Sequence, residues 1–281
     1  GTTNNRFGWV WKELMPGLRN RSRRAKNFFE KEIMKNQETL TEIGTRYGTD
    51  KASRHRYSEI YEAVFDQLRN DEVHLLEIGA GRTGASHKMW KEYFTCGEIY
   101  CMEAFYGQLD TVEASELERY GVQTLVGNQL KREDLSRAGE MLPPGALYDI
   151  IIDDGAHMYD AINISLGTLF PYLKSGGYYI IEDVFTARKR GGFLEDSEYE
   201  ANNLEAANAR VKPYGLDQEV LEHVPEYMLL ESFMTLKASG QWLSKTLTYP
   251  ENSYLSEHIA HWQFFDDQAP DDAALVIIRK K

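Results

Sequence analysis

Val73-His74-Leu75-Leu76-Glu77-Ile78-Gly79-Ala80-Gly81-Arg82-Thr83-Gly84 sets a short apolar run against a glycine-rich turn. The next residues carry Met89, Trp90, Tyr93 and Phe94 at helical spacing. A strand that enters a helix through glycines exposes backbone amides where a ligand can approach the main chain closely. Working outward, the alternation recurs, with apolar strands expected at Ile99–Met102, Val122–Val126, Tyr148–Ile152 and Tyr178–Ile181. Ile162, Leu166, Leu169, Phe170 and Leu173 repeat at helical spacing between the last two, before the stop Ser175-Gly176-Gly177. Strands alternating with helices predict a mostly parallel α/β sheet with right-handed crossovers, a Rossmann-like arrangement. Ile259–Phe265 and Ala274–Ile278 read as a terminal strand pair giving an antiparallel C-terminal edge.

Two acidic doublets stand at strand ends, Asp153-Asp154 after Tyr148–Ile152 and Glu182-Asp183 after Tyr178–Ile181. Open parallel sheets bind ligands at those ends, and carboxylates there lose solvation unless cations or hydrogen-bond donors meet them. Like charges so close together point to a metal ion. His157 follows the first doublet by three residues and is the side chain best suited to take a proton near neutral pH. A metal and a base together point to chemistry on a hydroxyl. Singly, the aspartates could cap a helix and the histidine could be a packing residue.

The chain has 281 residues, enough for one large domain with an appendage. We expect an N-terminal helical extension over 1–71 and a sheet domain over 72–281, with an insertion at about 186–250 placed to act as a lid or as a peripheral helical pair. The formal charge of −12 argues against nucleic-acid or anionic-membrane partners and favours a small molecule. Phe7–Lys31 is basic and aromatic instead, either an arm for an acidic partner or a neighbouring subunit, so that a homo-oligomer stays open, or a helix with a solvated face. Two cysteines without ligand spacing, no long apolar run and no signal-peptide core lead to the expectation of a reduced, cytoplasmic protein.

The glycine turn matches G-x-G-x-x-G, with Glu103 roughly 20 residues beyond it placed to accept ribose hydroxyls. NAD and S-adenosylmethionine both satisfy that pattern. Glu77 at the end of the first strand, a five-strand run closed by a strand pair, and the absence of a second mononucleotide half favour the methyl donor. A nicotinamide-dependent oxidoreductase and a non-methylating protein on the same fold remain the alternatives.

The chain resembles the class I S-adenosylmethionine-dependent methyltransferases, and within them looks like the metal-dependent sugar O-methyltransferases of macrolide biosynthesis, of mycinamicin and tylosin type. The likeness rests on Tyr47-Gly48-Thr49-Asp50-Lys51, His55-Arg56-Tyr57 and Tyr61, Leu76-Glu77-Ile78-Gly79, Met89-Trp90, Gln129, Ile152-Asp153-Asp154-Gly155-Ala156-His157 and Ile181-Glu182-Asp183, and covers roughly residues 42–184. It implies that Asp154, Glu182 and Asp183 hold Mg2+ or another divalent cation, and that Asp154 and His157 are catalytic, His157 as the base. It further implies that Gly79 and Gly81 cradle the donor, with Glu103 on its ribose, Gln129 near its adenine, and Asp153 and Glu77 toward its methionine amine. The implied substrate is a vicinal diol on the sugar of a glycosylated natural product or on a polyketide-like molecule, with a catechol or phenol as the runner-up. Glu103 stands where the family has Asp, Ala156 where it has Ser, and Val184–Arg190 departs from its Thr-Ser-Tyr continuation.

Overall fold

The central strands are continuous apolar runs, as strands covered on both faces must be. In the computed structural model, which describes residues 37–157, 159–184, 225–265 and 275–281, they form one seven-stranded sheet. Helices α1 (Leu40–Tyr47), α2 (Asp50–Ser53) and α3 (Tyr57–Phe65) precede β1 (His74–Ile78). Next come α4 (Ala85–Tyr93), β2 (Glu98–Glu103), α5 (Ala114–Arg119), β3 (Val122–Val126), α6 (Arg132–Gly139), β4 (Tyr148–Asp153), α7 (Tyr159–Leu169) and β5 (Leu173–Ile181). The chain closes with α8 (Pro225–Ser239), α9 (Tyr249–His258), β6 (Ile259–Phe265) and β7 (Leu275–Lys280).

The strand order is β3-β2-β1-β4-β5-β7-β6. The first five strands are parallel, and β7 runs antiparallel between β5 and the outermost β6. The order reverses between β1 and β4, so the loops leaving those two strands diverge and open a crevice at their C-terminal ends. The glycine turn and the Asp153–His157 turn are those two loops.

Alternation along the strands splits the core in two. One face carries Leu76, Tyr148, Ile151 and Tyr179 under Ile162, Leu166 and Leu169 of α7. The other carries Leu75, Ile99, Ile150, Ile152 and Ile180 under α1, α3 and α4. Tyr57, Ile60, Tyr61 and Phe65 of α3 are buried in this second cluster. Phe65 is its hub, with ring centroids 5.5 Å from Tyr61, 6.2 Å from Trp90, 6.0 Å from Phe94 and 5.7 Å from Tyr178.

One boundary differs from the sequence reading. β5 already begins at Leu173, and the expected helix stop Ser175-Gly176-Gly177 lies inside the strand, where the register with β4 shifts between Tyr148 and Ile150. The helical spacing through Leu173 came from α7 followed by a 3-10 turn, Phe170–Tyr172. Within the expected insertion, Phe233 packs on Trp242 and on Trp262 and Phe264 of β6. Residues 185–224 and the basic run 7–31 lie outside the described residues. Both cysteines are free thiols. Among the described residues no helix is long and apolar enough to cross a membrane.

Phe65→Ala removes the ring that fastens α3 to the sheet, with an expected loss of about 3–5 kcal/mol of unfolding free energy. Urea unfolding measures it, and a loss below about 1 kcal/mol would mean the helices are held by other contacts.

Candidate active site

The sheet brings both doublets to one place. Asp154 N donates to Ile78 O at 3.0 Å and Glu182 N to Asp153 O at 3.0 Å, so the ends of β1, β4 and β5 are tied together. At their centre is an ammonium. Lys51 Nζ, on a side chain 1% exposed, lies 2.5 Å from Asp154 Oδ2, 2.7 Å from Glu182 Oε2 and 3.2 Å from Glu77 Oε1. The remaining oxygens are met by neighbouring side chains. Tyr61 OH donates to Glu182 Oε1 at 2.5 Å, Tyr57 OH to Asp183 Oδ1 at 2.9 Å and Trp90 Nε1 to Glu77 Oε2 at 2.9 Å.

His157 occupies the outer side of the cluster. Its Nε2 is 3.7 Å from Asp154 Oδ1 and 3.8 Å from Asp183 Oδ2, and all three side chains keep partial exposure. Two sets of atoms therefore have metal-binding separations, an outer one of Asp154, His157 and Asp183 and an inner one of Glu77, Asp154 and Glu182. Both His157 and Asp183 sit at φ +53, a left-handed backbone that non-glycine residues adopt at a cost of about 1–3 kcal/mol and that clusters at functional sites.

Burial drives the electrostatics. It raises the pKa of Asp154 and carries that of Glu182 well up, with Lys51 opposing both. Burial alone would lower the Lys51 pKa, but Asp154, Glu182 and Glu77 outweigh it and hold the ammonium protonated. Asp183 behaves differently. Burial pushes its pKa up, yet His157, His55 and the Tyr57 hydroxyl bring the net shift down. Three carboxylates around one lysine, with Asp183 beside them, leave negative charge for a further cation, and hard oxygen donors on the exposed side fit a divalent ion such as Mg2+.

The glycine turn lies against the same elements. Gly79 has φ +97, and a Cβ there would stand 2.1 Å from Asp154 O, so only glycine lets the two loops touch. Gly81, at φ +60, faces open space. Glu103 at the end of β2 accepts from Ala80 N at 3.0 Å and from Ala104 N and Phe105 N at 2.7 and 2.9 Å, which pins the turn. Asp153 is 1% exposed, and its Oδ2 has no hydrogen-bond partner among the described residues. The open space at Gly81 leaves the backbone of the turn accessible to a ligand such as the methyl donor.

Two further expected donor contacts are, like Glu103, engaged within the protein. Gln129 is buried, its Nε2 donating to Asp153 Oδ1 at 2.6 Å while its Oε1 accepts from Ala156 N at 2.9 Å. Its amide thus holds the turn that carries Asp154 and His157. Glu77 is 0% exposed beneath Lys51 and Trp90, with His87 Nε2 3.5 Å away. Lys51, Tyr57 and Tyr61 were not singled out as site residues from the sequence. The signal available was the place of Lys51 in the quoted run Tyr47-Gly48-Thr49-Asp50-Lys51, and the spacing of Tyr57 and Tyr61 on one face of a helix.

No family model matches the chain. The mycinamicin VI 2''-O-methyltransferase of Micromonospora griseorubida is 36% identical over 155 residues, covering 53% of this chain and 36% of that protein. The demethylmacrocin O-methyltransferase of Streptomyces fradiae is 37% identical over 155 residues, covering 53% of this chain and 37% of that one. The match thus spans little more than a third of each relative. Among solved structures, the MycE methyltransferase of the mycinamycin pathway, in complex with Mg and SAH, superposes with a TM-score of 0.59 at 25% identity. That likeness covers 87% of this chain and 54% of MycE. The fold is the class I methyltransferase fold.

Within this methyltransferase fold, burial lifts the Asp153 carboxyl to about 7, with the Gln129 hydrogen bond opposing. Its folded pKa lies above the unfolded value near 3.9, so the stability it contributes is full below about pH 4 and is lost as the pH rises through about 7. In Asp153→Asn this dependence disappears. The unfolding free energy of the wild type relative to the variant is therefore expected to fall as pH rises from about 4 to about 7. A pH-independent difference in chemical denaturation would return Asp153 to the ordinary carboxylate range.

Proposed function

We propose that the protein is an S-adenosylmethionine-dependent and divalent-metal-dependent O-methyltransferase acting on one hydroxyl of a vicinal diol, on the sugar of a glycosylated natural product or on a polyketide-like molecule. The observation that carries this reading is the placing of His157 Nε2 within 4 Å of both Asp154 Oδ1 and Asp183 Oδ2, beside the glycine turn, on this fold. The names of the similar proteins support the substrate class, since they methylate mycinamicin VI and demethylmacrocin. They favour a sugar over a catechol. In the same reading the protein works in the cytoplasm on a small molecule.

When bound at Asp154, Glu182 and Asp183, a divalent ion would lower the pKa of a coordinated hydroxyl, and S-adenosylmethionine would supply an activated methyl group. The chain's own residues do the rest. His157 Nε2 accepts the proton of the hydroxyl to be methylated, as general base. Tyr57 and Tyr61, through their hydrogen bonds, fix the orientation of Asp183 and Glu182. Gly79 and Gly81 let the donor approach the backbone, Glu103 accepts from its ribose, and Asp153 lies toward its amine. Gln129 and Glu77 act one step back, through Asp153 and Lys51. Alignment of the substrate oxygen with the methyl carbon, together with deprotonation, is the source of rate.

The test is calorimetric titration with S-adenosylmethionine, and with NAD in parallel, followed by methyl transfer to a glycosylated macrolide bearing a free sugar diol. Donor binding without NAD binding, and turnover lost on chelation of divalent metal, are expected. His157→Ala should lower kcat by about 10²–10⁴ with an unchanged donor dissociation constant. Binding of NAD alone, or full turnover in the variant, would defeat the reading.

A further inference from the structure

Two tyrosines one helical turn apart on α3 donate to two consecutive carboxylates, Tyr57 to Asp183 and Tyr61 to Glu182. The Tyr61 ring is fixed by Phe65, stacked at 5.5 Å, and by Trp90, edge-on at 5.3 Å. The Tyr57 ring meets Tyr61 edge-on at 6.4 Å and the His55 imidazole face-on, with centroids 5.3 Å apart and planes at 22°. His55 is 8% exposed, yet its Nδ1 has no hydrogen-bond partner among the described residues. Its Nε2 stands 3.8 Å from Asp50 Oδ2, beyond hydrogen-bond range. A polar ring buried in this way is held by its face. Arg56, between the two rings, caps α3 in a left-handed conformation at φ +57, and its Nη2 donates to Glu59 Oε1 at 2.8 Å. The chain thus accepts strain at the residue that joins the stacked pair.

We propose that His55 is a positioning residue for Asp183: stacked on Tyr57, it sets the ring whose hydroxyl holds Asp183 Oδ1, and so leaves Asp183 Oδ2 turned toward His157 and a divalent ion. With Oδ1 engaged at 2.9 Å, rotation of the carboxylate is stopped, and Oδ2 stays 3.8 Å from His157 Nε2. Without the stack the Tyr57 ring gains freedom, its hydroxyl leaves Oδ1 more often, and the carboxylate turns.

For the ion this inference rests on the divalent-metal reading above, and the experiment separates the two. Tyr57→Phe deletes the hydroxyl and keeps the ring, so the shift it causes in the urea midpoint, measured in chelator, reads the hold on Asp183 without any metal. That shift is compared in the wild type, in His55→Ala and in His55→Phe, which keeps a ring to stack. A clear fall is expected in the wild type and in His55→Phe, and less than about half of it in His55→Ala, because the hydroxyl is then already released. An equal fall in all three backgrounds, no fall in the wild type, or a fall reduced in His55→Phe as much as in His55→Ala would overturn the inference. In calorimetric titration with Mn2+, His55→Ala should bind about tenfold more weakly than the wild type, and His55→Phe within about twofold of it. Undiminished Mn2+ binding by His55→Ala would also overturn it. A wild type that binds no Mn2+ would end the metal reading, and the urea comparison would then decide the hold of His55 on Asp183 by itself. Should His55→Ala fail to fold, His55→Leu fills the space without an aromatic face, and the same outcomes apply.

Discussion

The structure depends on reconciling four carboxylates with the end of an apolar sheet. Glu77, Asp154, Glu182 and Asp183 end up within a few ångströms of one another because β1, β4 and β5 are neighbours in register. Taken out of water without compensation, such a group would unfold a domain of ordinary stability. The compensation comes from helices that precede the sheet in sequence. Lys51 is on α2, Tyr57 and Tyr61 are on α3, and Trp90 is on α4. The packing of these helices is therefore part of the site's chemistry. Phe65, stacked one helical turn beyond Tyr61, anchors the hydroxyl that reaches Glu182.

A second constraint is the approach of the two loops at the switch in strand order. Gly79 allows the glycine turn to rest on Asp154 O, and Asp154 N returns a hydrogen bond to Ile78 O. The turn that follows is fixed from behind by Gln129, whose amide spans Asp153 and Ala156. Glu103 closes the other side by accepting from Ala80 N. With both loops held, the left-handed backbone at His157 and Asp183 can persist, and its strain is offset by contacts rather than relaxed.

The strands and their parallel order were legible because buried strands are continuous apolar runs, and the doublets were legible because acids at such ends are costly. The start of β5 was not. Its glycines serve as a strand irregularity and as a helix stop equally well in a linear pattern. The family likeness implied that Glu77 and Gln129 face the donor, and in the structure both are buried, with Trp90 donating to Glu77 and Gln129 donating to Asp153. Lys51 was part of the family likeness but was given no place in the site, because lysine is usually exposed, and only three-dimensional proximity reveals an ammonium 1% exposed among acids more than twenty residues away in sequence.

Asp153 and Asp154 are adjacent, and the pleat turns them apart. Asp153 points to the face packed by α7, meets Gln129 and has its pKa lifted by burial to about 7. Asp154 points to the face packed by α2 and α3 and meets Lys51 and His157. One doublet at the end of one strand thus serves two environments that share no side-chain partner on these contacts. The same alternation that puts Ile151 and Ile152 into separate halves of the core, continued for two residues, places one carboxylate against Gln129 and the other in the cation cluster. On the proposed reading, the distance between methyl donor and metal is then set by the geometry of a single strand end. Loops could not hold it so closely, since a displacement of about 1 Å at a reacting centre can cost two orders of magnitude in rate.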